Sequence, residues 1–138
     1  MKKATLLTIF STAILLSAVS QNMQSIDTIK PPAVYENIYN RPVFSDSLVS
    51  SFVIFIKKEV KLHIHVTHTE QVLVLEGKGE MTVGDKKIPV KKGDVIFIPK
   101  NTPHGLKVSS DTPVKVLSIQ APNFDGKDRV MVEIQKKD

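Results

Sequence analysis

The sequence predicts an all-β protein, folded as a sandwich or a barrel, and three observations lead to this class. Apolar side chains recur with a period of two along most of the chain, as they do in strands that bury one face. The strand-like runs are about five residues long, and Gly, Pro, Asn and Asp separate them. No amphipathic pattern extends beyond about two helical turns. A length of 138 residues suits one domain with one core.

The predicted strands follow one another from residue 51 almost to the C-terminus. Gly84-Asp85 marks a turn between two of them, and Pro99 ends another because proline cannot donate to a following ladder. Residues 34–40 are compatible with either a strand or a turn. In chain order, the predicted strands are 51–57, 62–66, 71–76, 79–83, 87–90, 94–98, 104–108, 114–120 and 129–134.

Residues 1–20 have the pattern of a secretory signal peptide. Two lysines form a basic start, an apolar stretch follows, and Ala18-Val19-Ser20 places small residues before a cleavage point near Ser20. The apolar stretch falls short of the ~20 residues that span a membrane. We therefore expect export to the periplasm or the medium, with no stable membrane span after cleavage. An uncleaved N-terminal anchor is the alternative.

The mature chain is predicted to consist of a lead-in and one folded domain. Residues 21–45 form the lead-in, because they begin with a polar stretch that ends in Pro31-Pro32. Residues 46–138 form the β-barrel domain, since all nine predicted strands lie within them.

Charge and cysteine content narrow the possible functions. Loss of the two N-terminal lysines would leave 17 basic and 14 acidic residues, a net charge of +3. That charge is too small and too dispersed for a nucleic-acid-binding surface, so we expect no nucleic-acid partner. The chain has no cysteine, so its apolar core, together with any bound metal, must stabilise an exported domain without disulfides.

Three of the four histidines lie within residues 61–77, KLHIHVTHTEQVLVLEG. His63 and His65 are two apart in a predicted strand, so both side chains point to one face. Glu70 follows after a short turn, and two imidazoles with one carboxylate form a common facial set of metal ligands. His104 begins a later strand and could reach the same place across a barrel. His68 is out of phase with the pair and is interpreted as a loop histidine.

The spacing of these residues resembles the first motif of the cupin superfamily, G-x5-H-x-H-x3,4-E-x6-G. The chain has His63, His65, Glu70 after four intervening residues, and Gly77 after six more. Lys57 stands where the motif begins with glycine. Cupins fold as double-stranded β-helices, or jelly rolls, so the resemblance narrows the expected fold to a small single-domain barrel of that type.

The second cupin motif, G-x5-P-x-G-x2-H-x3-N, is matched in part. Gly93, Pro99 and His104 occupy their positions, whereas Asn101 replaces the second glycine and Val108 replaces the final asparagine. Asparagine tolerates a positive φ better than other non-glycine residues, so we expect the turn to survive.

The resemblance covers about residues 50–120 and implies a metal site. The positions that bind metal in metal-binding cupins are His63, His65, Glu70 and His104. This donor set is compatible with Zn, Mn, Fe, Ni or Cu, and it does not distinguish between them.

Three functions remain open, because the fold hosts many unrelated chemistries. The first is a metal-dependent enzyme, such as a cupin dioxygenase or sugar isomerase, with Glu70 or His68 as the candidate general base. The second is a non-catalytic module that binds a small molecule or sugar, and the third is a domain with a purely structural metal. The catalytic residues and the small-molecule ligand are not given by the sequence.

The apolar runs VLVL and VIFI are continuous rather than alternating, which is typical of strands covered on both faces. Many cupins are dimers, and a homodimer would provide such cover. The alternative is a monomer whose own N-terminal segment covers the sheet.

Overall fold

The computed structural model describes residues 23–132, and they form two five-stranded antiparallel sheets. The elements are a 3₁₀ helix, Ile26–Thr28, and strands β1 Ile38–Ser45, β2 Ser50–Ile56, β3 Glu59–His65, β4 Thr69–Glu76, β5 Lys78–Val83, β6 Lys86–Lys91, β7 Val95–Ile98, β8 His104–Val108, β9 Val114–Ala121 and β10 Arg129–Met131.

The strand order is β1-β2-β9-β4-β7 in sheet 1 and β10-β3-β8-β5-β6 in sheet 2. The inner faces of the two sheets enclose the main core, whose buried members include Ile56, Val74, Met81, Ile98 and Val116. Apart from the consecutive pairs β1–β2 and β5–β6, neighbouring strands come from distant parts of the chain, as in a double-stranded β-helix. The predicted all-β jelly-roll fold is confirmed.

The segment predicted as a lead-in needs a correction at its C-terminal end. Residues 38–45 form β1, which pairs with the whole of β2 at the edge of sheet 1. Pro42 lies in this strand, and the register shifts between Pro42 and Phe44. Proline is tolerated at edges and bulges, which explains why a proline-containing stretch is hard to recognise as a strand.

The N-terminal segment covers one half of the outer face of sheet 1. Ile29 is buried against Val53 and Phe55 of β2 in a second, smaller core. Lys115 of β9 is only 1% exposed, and its ammonium donates to the carbonyl of Ile26 at 3.0 Å. This contact fixes the segment to the sheet.

The other half of that face carries no such cover from the described residues. In β7, Ile96 and Ile98 are buried in the core, whereas Val95 and Phe97 are 63% and 57% exposed. The described chain by itself therefore covers the run VIFI on one face only, where the sequence predicts cover on both.

Two turn positions behave as the sequence predicts. Gly77, between β4 and β5, has φ +82°, and an added Cβ would lie 2.9 Å from the carbonyl oxygen of Pro113. Asn101, which replaces a motif glycine, has φ 60°. Both residues adopt the left-handed conformation that glycine and asparagine tolerate best.

Both ends of the chain lie outside the described residues. The predicted signal peptide, residues 1–20, falls entirely in that part, as does the end of the predicted strand 129–134. Within residues 23–132, no helix has the length and apolar character needed to cross a membrane.

Candidate metal centre

Three histidines converge on the inner face of sheet 2. His63 and His65 alternate along β3 with the outward-facing Ile64, and each is 4% exposed. His104 lies directly opposite His63 in the β3–β8 pairing, and their ring centroids are 4.1 Å apart. One ring nitrogen from each of the three lies within 4.8 Å of the others, so one ion could contact all three.

Glu70 reaches the same place from β4 in sheet 1. Its Oε2 atom lies 3.2 Å from His104 Nε2 and 3.8 Å from His65 Nε2. The hydroxyl of Ser118 donates to the other oxygen, Oε1. The structure thus brings together all four predicted site residues, His63, His65, Glu70 and His104, which we call the metal cluster.

Backbone carbonyls set the tautomers of two of these histidines. His63 Nδ1 lies 2.9 Å from the carbonyl oxygen of Lys61, and His104 Nδ1 lies 2.9 Å from that of Thr102. A carbonyl can only accept, so each Nδ1 must carry the hydrogen. In the neutral rings the lone pairs are then on Nε2, which is available for a metal.

This arrangement leaves acceptors facing each other. His104 Nε2 has no hydrogen-bond partner among the described residues, yet it faces a Glu70 oxygen at 3.2 Å. Two buried acceptors at that distance repel unless a proton or a cation lies between them. The cluster therefore fits a cation on physical grounds.

The protonation states also suit metal binding. Burial and the neighbouring His104 lower the pKa of His63 to about 3, and burial also lowers the pKa of His65. Burial alone would raise the pKa of Glu70, but the facing His104 ring and the hydrogen bond from Ser118 outweigh burial and lower it. Neutral imidazoles beside an ionised carboxylate are the forms that bind metals.

His68 lies in the loop between β3 and β4, where the sequence places it, and the structure adds that it is buried, since it is only 4% exposed. Its Nδ1 bonds to a carboxylate oxygen of Asp128, and its Nε2 donates to the carbonyl of Asn123 at 2.8 Å. Because both nitrogens are engaged and the ring does not line the main cavity, His68 is not a general base for that cavity.

His68 and Asp128 form what we call the latch, which ties residues 122–131 to the turn between β3 and β4. Asp128 also accepts hydrogen bonds from the backbone amides of Val66, Thr67 and His68. The bond with His68, followed by the amide bonds, outweighs the effect of burial and lowers the pKa of Asp128 to about 2. Burial lowers the pKa of His68, but its bonds to Asn123 and Asp128 raise it overall.

The latch brings residues to the site that the sequence analysis missed. Phe124 packs edge-on against His65, with ring centroids 5.3 Å apart, and Arg129 reaches the cavity from β10. No local signal marks either residue. Ser118 and Gln120 could have been recognised, because they continue the inward alternation of Val114 and Val116 with polar side chains.

The cavity beside the metal cluster is small and mostly apolar. Its volume is about 130 Å³. Its apolar walls include Ile54, Val72, Met81 and Leu106. Apart from the histidines, its charged lining residues are Glu70 and Arg129. A cavity of this kind fits a small ligand with an apolar part.

Comparison with known sequences identifies the family of the chain. A family model described as the cupin domain matches residues 52–120. An uncharacterized protein of Aquifex aeolicus is 41% identical over 86 residues, which cover 62% of this chain and 70% of that protein.

Comparison with solved structures shows the fold. A protein of Klebsiella pneumoniae with a double-stranded β-helix domain has a TM-score of 0.69 at 21% identity, covering 81% of this chain and 97% of that one. KdgF from Halomonas sp. has a TM-score of 0.61 at 21% identity, covering 64% and 82%.

Proposed function

The chain belongs to the cupin family, and from that premise we propose that it binds one divalent transition metal through His63, His65, Glu70 and His104 and, next to the metal, a small molecule. The observation that carries the proposal is the contact between His104 Nε2 and Glu70 Oε2, two buried acceptors 3.2 Å apart. A metal ion removes this repulsion and satisfies both atoms at once.

The metal would supply Lewis-acid chemistry, because four protein ligands leave coordination positions free to polarise a ligand oxygen. The chain's own residues hold the donors in place. The carbonyls of Lys61 and Thr102 orient two imidazoles, and Ser118 orients the carboxylate. The apolar walls keep bulk water away from the ligand.

A non-catalytic binding module is the second candidate, and one observation favours it. The cavity lining contains no Asp, Lys or Tyr, and its Glu and His residues are the proposed metal ligands themselves. A dioxygenase or isomerase that needs a separate acid or base would have to obtain it from the ligand or from water.

Elemental analysis of the chain beginning at Gln21, purified without chelator, tests the metal proposal. We expect about one transition-metal ion per chain in the parent and in His68→Gln, and a loss of metal in His63→Ala. His68→Gln is the matched control, because His68 is an equally buried histidine whose nitrogens are already bonded. Equal metal loss in both variants, or no metal after reconstitution, would contradict the proposal.

Ligand titrations of the metal-loaded chain separate the two candidate functions. An enzyme forms a product from a ligand that stabilises it, whereas a binding module shows stabilisation without product.

We further propose that two copies pair through the uncovered half of sheet 1. Leu73 lies opposite Val95, and Gln71 lies between Phe97 and Ile119, so these outward side chains form one continuous strip. The strip has no charged side chain, so a symmetric contact would place no like charges together. We expect light scattering to report a dimer that Phe97→Lys dissociates and that Ile88→Lys, on sheet 2, does not; a monomeric parent would contradict this.

We also propose export, supported by the signal-peptide pattern of residues 1–20. N-terminal sequencing of the protein recovered outside the cytoplasm should begin at Gln21, and a chain that still begins at Met1 would contradict cleavage.

A further inference from the structure

Arg129 places a cationic group at the mouth of the cavity, and the metal cluster does not use it. In the β10–β3 pairing, Arg129 lies directly opposite His65, so both side chains belong to the inner side of sheet 2. The arginine lines the cavity together with His63 and Glu70. Its position depends on the latch, because Asp128 is the preceding residue.

The guanidinium group has no acceptor of its own. Its Nη2 atom lies 3.5 Å from His63 Nδ1, but that nitrogen carries the hydrogen that it donates to Lys61. Within residues 23–132, no carboxylate forms an ion pair with Arg129. Arg129 is exposed on β10, so its five donors are in contact with solvent and are accessible to a ligand that enters the cavity.

The charge balance at the cavity favours an anion. Glu70 is the one acidic residue among the lining residues, and its oxygens already face Ser118 and His104. Nearby Asp128 is bonded to His68 and to three backbone amides. With a divalent cation at the cluster, the positive charges of the metal and Arg129 would therefore exceed the single negative charge of Glu70.

Gln120 supplies a polar group for a second part of the ligand. It is 5% exposed, it lines the cavity, and its Oε1 atom has no hydrogen-bond partner among the described residues. Its amide nitrogen donates to Ser118 at 3.2 Å. An unpaired buried carbonyl oxygen is costly, so a ligand that donates a hydroxyl to it would be favoured.

We propose that the cavity binds a small hydroxy or keto acid whose carboxylate pairs with the guanidinium of Arg129. A hydroxyl group of the acid points inward and donates to Gln120 Oε1, whereas a keto oxygen points toward the metal cluster alone. The inward orientation rests on the proposed metal function, whereas the pairing with Arg129 does not. Bidentate pairing with arginine selects a carboxylate over a neutral group of the same shape.

Thermal-shift and calorimetric titrations test this proposal with defined probes. The acids are lactate, pyruvate, glycerate and gluconate, and each is compared with its neutral amide. The proteins are the parent, Arg129→Gln and Arg41→Gln, each with and without metal. Arg41 is the matched control, because it is an exposed arginine on β1 that does not line the cavity.

We expect at least one acid to bind the parent about tenfold more tightly than its amide does, and Arg129→Gln to lose that preference. Arg41→Gln should keep the preference, and metal content should be the same in all three proteins. The proposal is overturned if no acid binds, if an amide binds equally well, or if Arg129→Gln leaves the preference intact.

If the metal proposal fails but the carboxylate proposal holds, the same titrations give a different result. The chain would then take up no metal, but the metal-free parent would still prefer acids over amides through Arg129.

Discussion

The metal cluster and the latch are neighbours built from the same residue types. In the metal cluster the inward histidine nitrogens are free, whereas in the latch both nitrogens of His68 are bonded. Both groups pair histidine with a carboxylate. They meet at His65, which belongs to the metal cluster and whose Nδ1 lies 3.9 Å from an Asp128 oxygen. One ring nitrogen each from His65 and His68 and an oxygen of Asp128 also lie within 4.8 Å of one another. Geometry alone therefore offers two places for a metal.

Hydrogen bonding decides between the two places. In the latch, both His68 nitrogens and both Asp128 oxygens are already bonded, so Nδ1 of the neighbouring His65 is the one atom of this group left for an ion. In the metal cluster, a backbone carbonyl occupies Nδ1 of His63 and of His104 and leaves the inward nitrogens free. The difference shows that the partners of a histidine, more than its burial, determine its role.

Removing the carboxylate of the metal cluster should have the largest effect on metal binding. We expect Glu70→Leu to weaken metal affinity by about 100-fold or more, since the loss of a ligand exceeds the 10–100-fold cost of losing its supporting partner. Stability of the metal-free chain should stay within about 1 kcal/mol or rise, because a buried carboxylate facing a lone pair is removed. Competition with a chelating dye and urea unfolding measure the two quantities.

Removing the carboxylate of the latch should lower the stability of the chain and have little effect on metal affinity. Asp128→Asn loses charge-assisted bonds to His68 and to three amides, so we expect the free energy of unfolding to fall by about 2 kcal/mol. Metal affinity should change much less than in Glu70→Leu, because Asp128 lies near His65 but is not one of the four ligands. Asp125→Asn, an exposed residue of the same segment, is the control and should do neither. Loss of metal in Asp128→Asn would erase the distinction between the two groups.

At the acid end of the pH range, the contribution of the latch should be lost as Asp128 takes up a proton. The pKa of Asp128 is lowered from 3.8 to about 2, so its contribution is fully present above about pH 4 and is lost as the pH falls toward 2. The stability difference between the metal-free parent and Asp128→Asn should therefore shrink over that range. A difference that persists unchanged at pH 2 would show that the carboxylate charge is not what holds the segment.

The smallest effect on metal affinity is expected for a residue that supports a ligand but does not bind the metal itself. Ser118→Ala removes the hydroxyl that orients Glu70, and we expect metal affinity to fall by about tenfold. Thr69→Ala, with a hydroxyl directed to the carbonyl of Ala121, is the control and should leave affinity unchanged. Equal affinities in the parent and Ser118→Ala would mean that the carboxylate needs no support.

The sequence predicts the metal cluster better than the latch, for physical reasons. The spacing of His63 and His65 places them on one face of a strand, and the cupin motifs add Glu70 and His104. The burial of His68 depends on Asp128, 60 residues away, in a segment with no local pattern. A contact between irregular segments leaves no periodic signal in either of them.

The fold likewise has parts that the sequence predicts and parts that it does not. The interior strands are predictable because they contain alternating or continuous apolar runs between turn residues. In contrast, β1 contains Pro42 and lies at an edge, and its pairing with β2 decides its structure. The exposure of Val95 and Phe97 could not be predicted, because a continuous apolar run does not reveal which of its faces is covered.

Anomalous X-ray diffraction from metal-loaded crystals, recorded at the absorption edge of the bound metal, compares the two places directly. The account predicts one peak per chain, about 2.0–2.2 Å from Nε2 of His63, His65 and His104 and next to a Glu70 oxygen. A peak between His65, His68 and Asp128, or no peak in a chain loaded with metal, would contradict it.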